Sequence, residues 1–498
     1  MLVRLSGGTE VQPRSGPLGG AVRSGRTSFR LGCCAILALA AFNLLLGLGS
    51  SSLFVDEAFT WAVASAPLAD LYGEVEESEV APPLYYGALH AWMKLGGSES
   101  EGFMRAFSAL AGIGLVAAVM WLAWCVGGRR PAILAGLLAA LSPLVLRYGQ
   151  EARAYVFTML AVTIAVAAAT RAVDDRANGT RWLGVAVAGS VAAVWLHYTS
   201  LLVIVPLAGW VLTRQELSRR AKMVYSASLV AAQALVTPIM VSQFAADNPG
   251  AARFSRLTFA NAIDVLGTPL DGRYPHEALL SGVGAVATLA ACVVLAWRRR
   301  ASRHGALMAA LSVGPIAALF VVTLISEDVL LSRYSAVCAP LAIVAIATAA
   351  ALVHHRAGVA LVVVVAAFAA VGSLESHRTD SNHPDIGSAF DHAGASWRTG
   401  DVLLIAPTSA FDLVAAPLWT YYSERALPAA AEVIAGADSP RLQAAIRDRR
   451  RIWILREPPA SRPRLARALR RIGYRPVAPR SFRGIADVQI LLGEPLRR

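Results

Sequence analysis

Apolar runs of bilayer length recur along the chain, at about 31–50, 104–126, 131–147, 154–172, 182–197, 199–213, 223–244, 279–297, 305–325, 334–353 and 358–374. A helix needs about 20 apolar residues to cross the hydrocarbon, so the pattern predicts eleven transmembrane helices. The spans around His197-Tyr198-Thr199 share a very short turn. Residues 50–103 break the pattern. There Ala58–Tyr72 and Leu84–Leu95 carry aromatic and aliphatic residues at helical spacing, as helices lying at the membrane interface would. Between them Glu74, Glu76, Glu77 and Glu79 read as a solvated turn, and Pro82-Pro83 ends one element and starts the next. Beyond about residue 378 the apolar runs shorten to strand length, at Val402–Ala406, Arg451–Leu455 and Asp487–Leu492. They alternate with helix-like stretches at Asp385–Trp397, Phe411–Tyr422, Pro440–Arg450 and Ser461–Ile472. This predicts a small α/β domain, with Gly400-Asp401 and Gly473 as turn and cap signals.

Composition agrees with a polytopic α-helical membrane protein: 56% of the 498 residues are hydrophobic and 16% are charged. The formal charge of +13 does not point to nucleic acid, because the cations cluster in short loops between apolar spans. With the N-terminus in the cytoplasm, the N-terminal arginines, Arg129-Arg130, Arg171, Arg214, Arg219-Arg220, Arg298-Arg299-Arg300 and Arg356 fall inside. Fewer cations, among them Lys94, Arg147, Arg153, Arg253, Arg256, Arg273 and Arg333, fall outside. That bias sets the expected orientation, with the C-terminal domain extracytoplasmic. Residues 1–30, polar and rich in Gly, Ser and Arg, read as a disordered tail, and Leu31–Leu48 as an uncleaved signal anchor. The five cysteines lie in or against the spans without metal-ligand spacing and read as small apolar helix residues.

Candidate chemistry gathers at one end of the spans. Asp56-Glu57 follows the first span directly, and Arg105, Arg147, Tyr148, Glu151, Arg153, His197, Tyr198, Arg333 and Tyr334 fall at the same expected level. Charges near hydrocarbon are costly unless they pair, face water or serve a site. Acids in the first loop and bases in later ones suggest a pocket for an anionic ligand. Each residue also has a plainer reading: Asp56 in a solvated loop, Arg153 paired with Glu151 or anchored at the interface, His197 satisfied within its helix.

These motifs resemble one family. The outward Asp-Glu, Ala81-Pro82-Pro83-Leu84-Tyr85-Tyr86, Arg105 heading the second span, Ser142-Pro143 followed by Tyr148-Gly149-Gln150-Glu151-Ala152-Arg153-Ala154-Tyr155, His197-Tyr198, and Arg333-Tyr334 with Pro340 are similar to GT-C membrane glycosyltransferases. The similarity lies with the bacterial branch resembling dolichyl-phosphate-mannose–protein mannosyltransferases and lipid A aminoarabinose transferases. It implies a GT-C transmembrane catalytic domain over 31–377, with its first outer loop at 50–103, and an extracytoplasmic α/β domain over 378–498. It also implies a multi-pass plasma-membrane enzyme that transfers a sugar, with inversion, from a polyprenyl-phosphate donor to a hydroxyl of a protein, lipid or glycan acceptor.

In that scheme Asp56 is the base and Glu57 assists. Arg153 and Arg333, then Tyr334, Arg105 and Lys94, hold the donor phosphate, and Tyr85, Tyr86, Tyr148, Glu151, His197 and Tyr198 bind substrate. No cofactor is predicted from the residues. The family's His-Pro-Pro is Ala81-Pro82-Pro83 here, which leaves metal dependence and acceptor identity open. Two other classes fit a membrane protein of this pattern: a lipid or glycan transporter, which would show internal repeats, and a noncatalytic scaffold with an outer sensory domain.

Overall fold

The computed structural model describes residues 17–245, 259–267, 270, 277–298, 300–325, 332–377, 385–405, 416–435, 440–456, 467, 469–482 and 488–496. The expected outer cations Arg253, Arg256 and Arg273, and most of the helix expected at Ser461–Ile472, lie outside them.

Every expected span is helical. The chain enters with α1 (Pro17–Leu45), so helix begins well inside the stretch read as a tail. The first loop holds α2 (Val55–Ser65), α3 (Leu71–Ser78) and α4 (Leu84–Gly96). Then come α5 (Glu101–Gly127), α6 (Arg129–Leu141), α7 (Pro143–Gly149), α8 (Tyr155–Asp174), α9 (Gly179–Leu196), α10 (Leu201–Thr213) and α11 (Arg219–Ala245). The bundle is completed by α12 (Phe259–Leu266), α13 (Glu277–Trp297), α14 (Gly305–Ile325), α15 (Ser332–Ser335), α16 (Ala339–Leu352) and α17 (His355–Ser376). Among the described residues nine helical segments are long and apolar enough to cross a membrane, ten if α6 and α7 form one span bent by 59°. The shorter apolar segment Tyr198–Thr213 occupies the remaining expected position.

The bend between α6 and α7 has a local cause. Pro143 has no amide hydrogen to continue the ladder, and Ser142 leaves helical geometry and accepts the Val145 amide at 3.4 Å on its hydroxyl. The turn swings the Arg147–Arg153 segment across the end of the bundle. Small residues let backbones close elsewhere: a Cβ on Gly189 of α9 would lie 3.0 Å from the Ala161 carbonyl oxygen of α8. The centre is α16, where every residue from Ser335 to Ala350 is buried. At the periphery Val230, Leu235 and Val241 of α11, Val286 and Val293 of α13 and Val363 of α17 stay exposed, as lipid-facing positions do.

The first loop departs from its pattern in two places. Helix α2 starts at Val55, which puts Asp56 and Glu57 in its first turn, and the acid cluster read as a solvated turn is mostly helix α3.

The C-terminal part is the expected α/β unit. Strands β1 (Val402–Ile405), β2 (Glu432–Ala435), β3 (Ile452–Arg456), β4 (Tyr474–Phe482) and β5 (Val488–Pro495) form one sheet in the order β2-β1-β3-β5-β4. The first three are parallel, and β5 runs antiparallel to both β3 and β4. Strands β2 and β4 are additions to the sequence reading. Three helices complete the unit: α18 (Ile386–Ala395), capped by Asp385 at the Ser388 amide, α19 (Ala416–Ala426) and α20 (Pro440–Arg447).

This unit sits on the first loop. The Leu53 amide donates to the Tyr422 hydroxyl at 2.6 Å, the Gly387 amide to the Ser52 hydroxyl at 2.9 Å, and the Tyr421 hydroxyl to the Glu99 carbonyl at 3.0 Å.

Candidate active site

Successive residues of a helix point about 100° apart, so the adjacent acids at the start of α2 meet different surroundings. Glu57 turns inward and is 1% exposed. It makes a two-point pair with Arg105, from Nε at 2.9 Å and from Nη2 at 2.7 Å. It also accepts the backbone amides of Ala152 and Phe54, each at 2.9 Å. Arg105 is 2% exposed and spends its remaining donors on the carbonyls of Leu48, Ser51 and Ser52. Neither group is presented to a ligand. The pair, expected as a catalytic assistant and a phosphate ligand, locks the first loop onto α5.

Asp56 turns the other way. Its side chain is 31% exposed, and its Oδ2 lies 3.3 Å from Nη1 of Arg333, which is 30% exposed. Arg333 comes from α15, far along the chain, and stands over the ring of Tyr334 with its guanidinium carbon 5.7 Å from the centroid. The Arg333 Nε is buried with no hydrogen-bond partner among the described residues. A buried, unsatisfied N–H on a cation is costly.

Arg153 lies beside this pair but is already engaged. Its fork meets Glu79 at 2.7 and 3.3 Å, and its Nη1 also reaches the Thr60 hydroxyl at 2.7 Å and the Asp56 carbonyl at 3.0 Å. Arg153 therefore pairs with Glu79, not with Glu151, which takes Arg147 at 3.2 Å. Glu79, read as part of a solvated turn, is buried; only its neighbours Glu74 and Glu77 are fully exposed. It is the chief residue that the sequence reading missed, together with Thr60. Position 79 immediately precedes Val80-Ala81-Pro82-Pro83, and nothing in its own spacing separates it from Glu74, Glu76 and Glu77.

The remaining expected site residues divide. Tyr155, at the head of α8, stacks between Tyr148 and His197 with ring centres 4.7 and 5.0 Å away. Tyr148 is 1% exposed and His197 is buried, and both pack against the Tyr155 ring. Tyr85 is buried among Tyr86, Phe107 and Phe157 and is part of an aromatic core. Tyr86, also buried, lies in the field of Glu79. Tyr198 donates to Gln243 at 2.7 Å, and Gln243 donates in turn to the carbonyls of Val75 and Ala81. That chain ties α11 to the first loop. Lys94 is exposed in the last turn of α4, and none of the described contacts joins it to the cluster. Among the described residues no group of three or more His, Cys, Asp and Glu side chains stands ready for a metal ion, and Asp56 faces a guanidinium instead of a second carboxylate.

The site is thus an ion pair of moderate exposure, Asp56–Arg333, set on a rigid base of two buried pairs, Glu57–Arg105 and Glu79–Arg153. Comparison with known proteins shows what this chain is similar to. The family model described as dolichyl-phosphate-mannose-protein mannosyltransferase matches residues 80–241, which include Arg105, Glu151, Arg153 and His197. No curated protein matches the sequence. Among solved structures, ArnT from Cupriavidus metallidurans in the apo state is similar over 92% of this chain and 97% of its own, with a TM-score of 0.59 and 14% identity. The same protein bound to undecaprenyl phosphate gives 0.56 and 15%, with the same coverage. The oligosaccharyltransferase of Archaeoglobus fulgidus in its apo form covers 85% of this chain and 69% of its own, with a TM-score of 0.53 and 11% identity. This chain has the GT-C fold of these membrane proteins, and over residues 80–241 it is similar to the dolichyl-phosphate-mannose-protein mannosyltransferase family.

Proposed function

We propose that the protein is an inverting glycosyltransferase that moves a sugar from a polyprenyl-phosphate donor to an acceptor hydroxyl on the outer face of the plasma membrane. The observation that carries the reading is the Asp56–Arg333 pair: a partly exposed carboxylate beside a guanidinium whose Nε has no partner among the described residues. The likeness to a structure of ArnT with undecaprenyl phosphate supports a lipid-phosphate ligand of this kind. In the proposed reaction the donor phosphate enters as an anion, engages the Arg333 guanidinium and competes with Asp56 for it. The carboxylate is released toward the acceptor. Asp56 then takes the hydroxyl proton as the oxygen attacks the anomeric carbon, and the bond to the phosphate oxygen breaks. Arg333 stabilises the charge that grows on the leaving phosphate, where a two-point fork serves better than an ammonium. Arg153, its charge met by Glu79, acts by holding Thr60 and the Asp56 backbone in place.

The transporter reading finds less support. The ionisable groups cluster at one end of the helices, whereas an alternating-access site lies near the bilayer midplane.

The test is a transfer assay in detergent or nanodiscs with a panel of polyprenyl-phosphate hexoses and pentoses and crude envelope acceptor. Turnover with one donor that disappears in Asp56→Asn supports the proposal; full turnover in Asp56→Asn at normal protein level removes it.

A further inference from the structure

The segment between α1 and α2 has no regular structure, and several of its polar backbone groups are met by side chains from outside it. From the bundle side Arg105 takes the carbonyls of Leu48, Ser51 and Ser52, at 3.1, 2.7 and 2.9 Å. Glu57 takes the amide of Phe54. The next amide back, that of Leu53, is met from the opposite side by the Tyr422 hydroxyl at 2.6 Å, and the Ser52 hydroxyl accepts from Gly387. Asp56 follows three residues later. The first turn of α2 is therefore clamped between an arginine of the bundle and a tyrosine of the C-terminal unit.

The same helix, α19, grips α2 further along. The Tyr421 ring meets Trp61 edge-on with centres 5.0 Å apart. Arg425 stacks over Tyr421 at 3.5 Å and stands 3.5 Å from the Glu99 carboxylate, which also accepts from the Trp61 indole at 2.9 Å. Tyr422 itself is buried between Phe390 and Tyr421. A hydroxyl fixed by two rings holds the amide opposite it in one place. A reacting carboxylate displaced by about 1 Å loses on the order of a hundredfold in rate.

We infer that the C-terminal domain is a working part of the catalytic site, and that Tyr422 is a positioning residue which fixes the turn bearing Asp56 through the Leu53 amide. The inference rests on the proposed role of Asp56. It assigns α19 a duty in turnover beyond stability.

Tyr422→Phe removes the acceptor and keeps the ring. Three readouts on full-length protein decide the matter. With the donor found in the panel, kcat per folded molecule is expected to fall roughly ten- to a hundredfold while the donor KM stays within about twofold. Binding of undecaprenyl phosphate alone should be unchanged, because Arg333 is untouched. Amide exchange in the 48–56 segment should quicken, and Ser423→Ala on the same helix, whose hydroxyl bonds only locally to Thr420, should alter none of the three. Unchanged kcat per folded molecule in Tyr422→Phe, beside an inactive Asp56→Asn, overturns the positioning role and leaves the catalytic reading standing. Full activity in Asp56→Asn overturns the catalytic reading instead. Slower exchange or unchanged exchange in the 48–56 segment also contradicts the clamp.

Discussion

At the scale of single residues, the two acids that open α2 meet different surroundings because they point to different faces of one helix. Arg333→Ala should weaken binding of undecaprenyl phosphate and slow transfer together, since the phosphate charge is present at binding and grows as the bond breaks. Arg333→Lys should recover only part of the loss, because a point charge lacks the fork. Unaltered binding in Arg333→Ala would exclude it from the donor site. Arg105→Met should act otherwise. It strands a buried Glu57, a loss on the order of 3–5 kcal/mol, so the yield of folded protein should drop. Normal yield and thermal midpoint for that variant would contradict the structural role. The sequence placed Asp56, Arg153 and Arg333 at one level, which the membrane enforces by making charge within the hydrocarbon costly. It could not say which acid faces outward, because the phase of α2 depends on where the helix starts. Nor could it pair Glu79 with Arg153, 74 positions apart, since only the folded first loop brings them together.

At the scale of elements, the spans were legible because lipid demands long apolar runs, whereas the bend at Ser142-Pro143, inside the run read as one span over 131–147, was not expected. The starts of α2 and α3 were not: amphipathic surface helices carry a weak pattern, and the acids of α3 suit a turn as well as a helix. Strands β2 and β4 were missed for a related reason. β4 contains two prolines and three cations or polar residues, and β2 is only four residues long and starts with Glu432. The C-terminal unit supplies a pH test. His392 packs against Trp453 and Phe482 with an Arg480 nitrogen 3.3 Å from its Nδ1. Burial, and then that guanidinium, hold its pKa below the ordinary imidazole value. The unfolded chain then binds the extra proton first. The stabilisation is complete above about pH 6.5 and is lost as the pH falls toward and through the lowered folded value. Thermal melts of wild type should therefore show a midpoint falling on acidification, with a smaller fall in His392→Gln; identical slopes would rule out this histidine as a source.

At the scale of the whole molecule, the two ends of the bundle differ in kind. The end opposite Asp56 carries Arg303 bridging Asp174 at 2.9 Å and Glu216 at 2.5 Å, with the buried His304 on the same Asp174. The positive-inside bias supports the proposal that this end is cytoplasmic and the Asp56 end extracytoplasmic. Single cysteines at Ala301 and Thr399, both exposed, test the orientation in a cysteine-free background. An impermeant maleimide on intact cells should label Thr399→Cys and spare Ala301→Cys. The reverse pattern would invert the topology and place the chemistry in the cytoplasm.

The central claim is that Asp56 removes the acceptor's proton. Its most direct measurement is single-turnover sugar transfer by Asp56→Asn, with undecaprenyl phosphate binding measured on the same preparation. Asparagine keeps the size and cannot act as the base, so transfer should fall by about two to four orders of magnitude while the lipid phosphate still binds. Transfer at the wild-type rate, with binding intact, would contradict it.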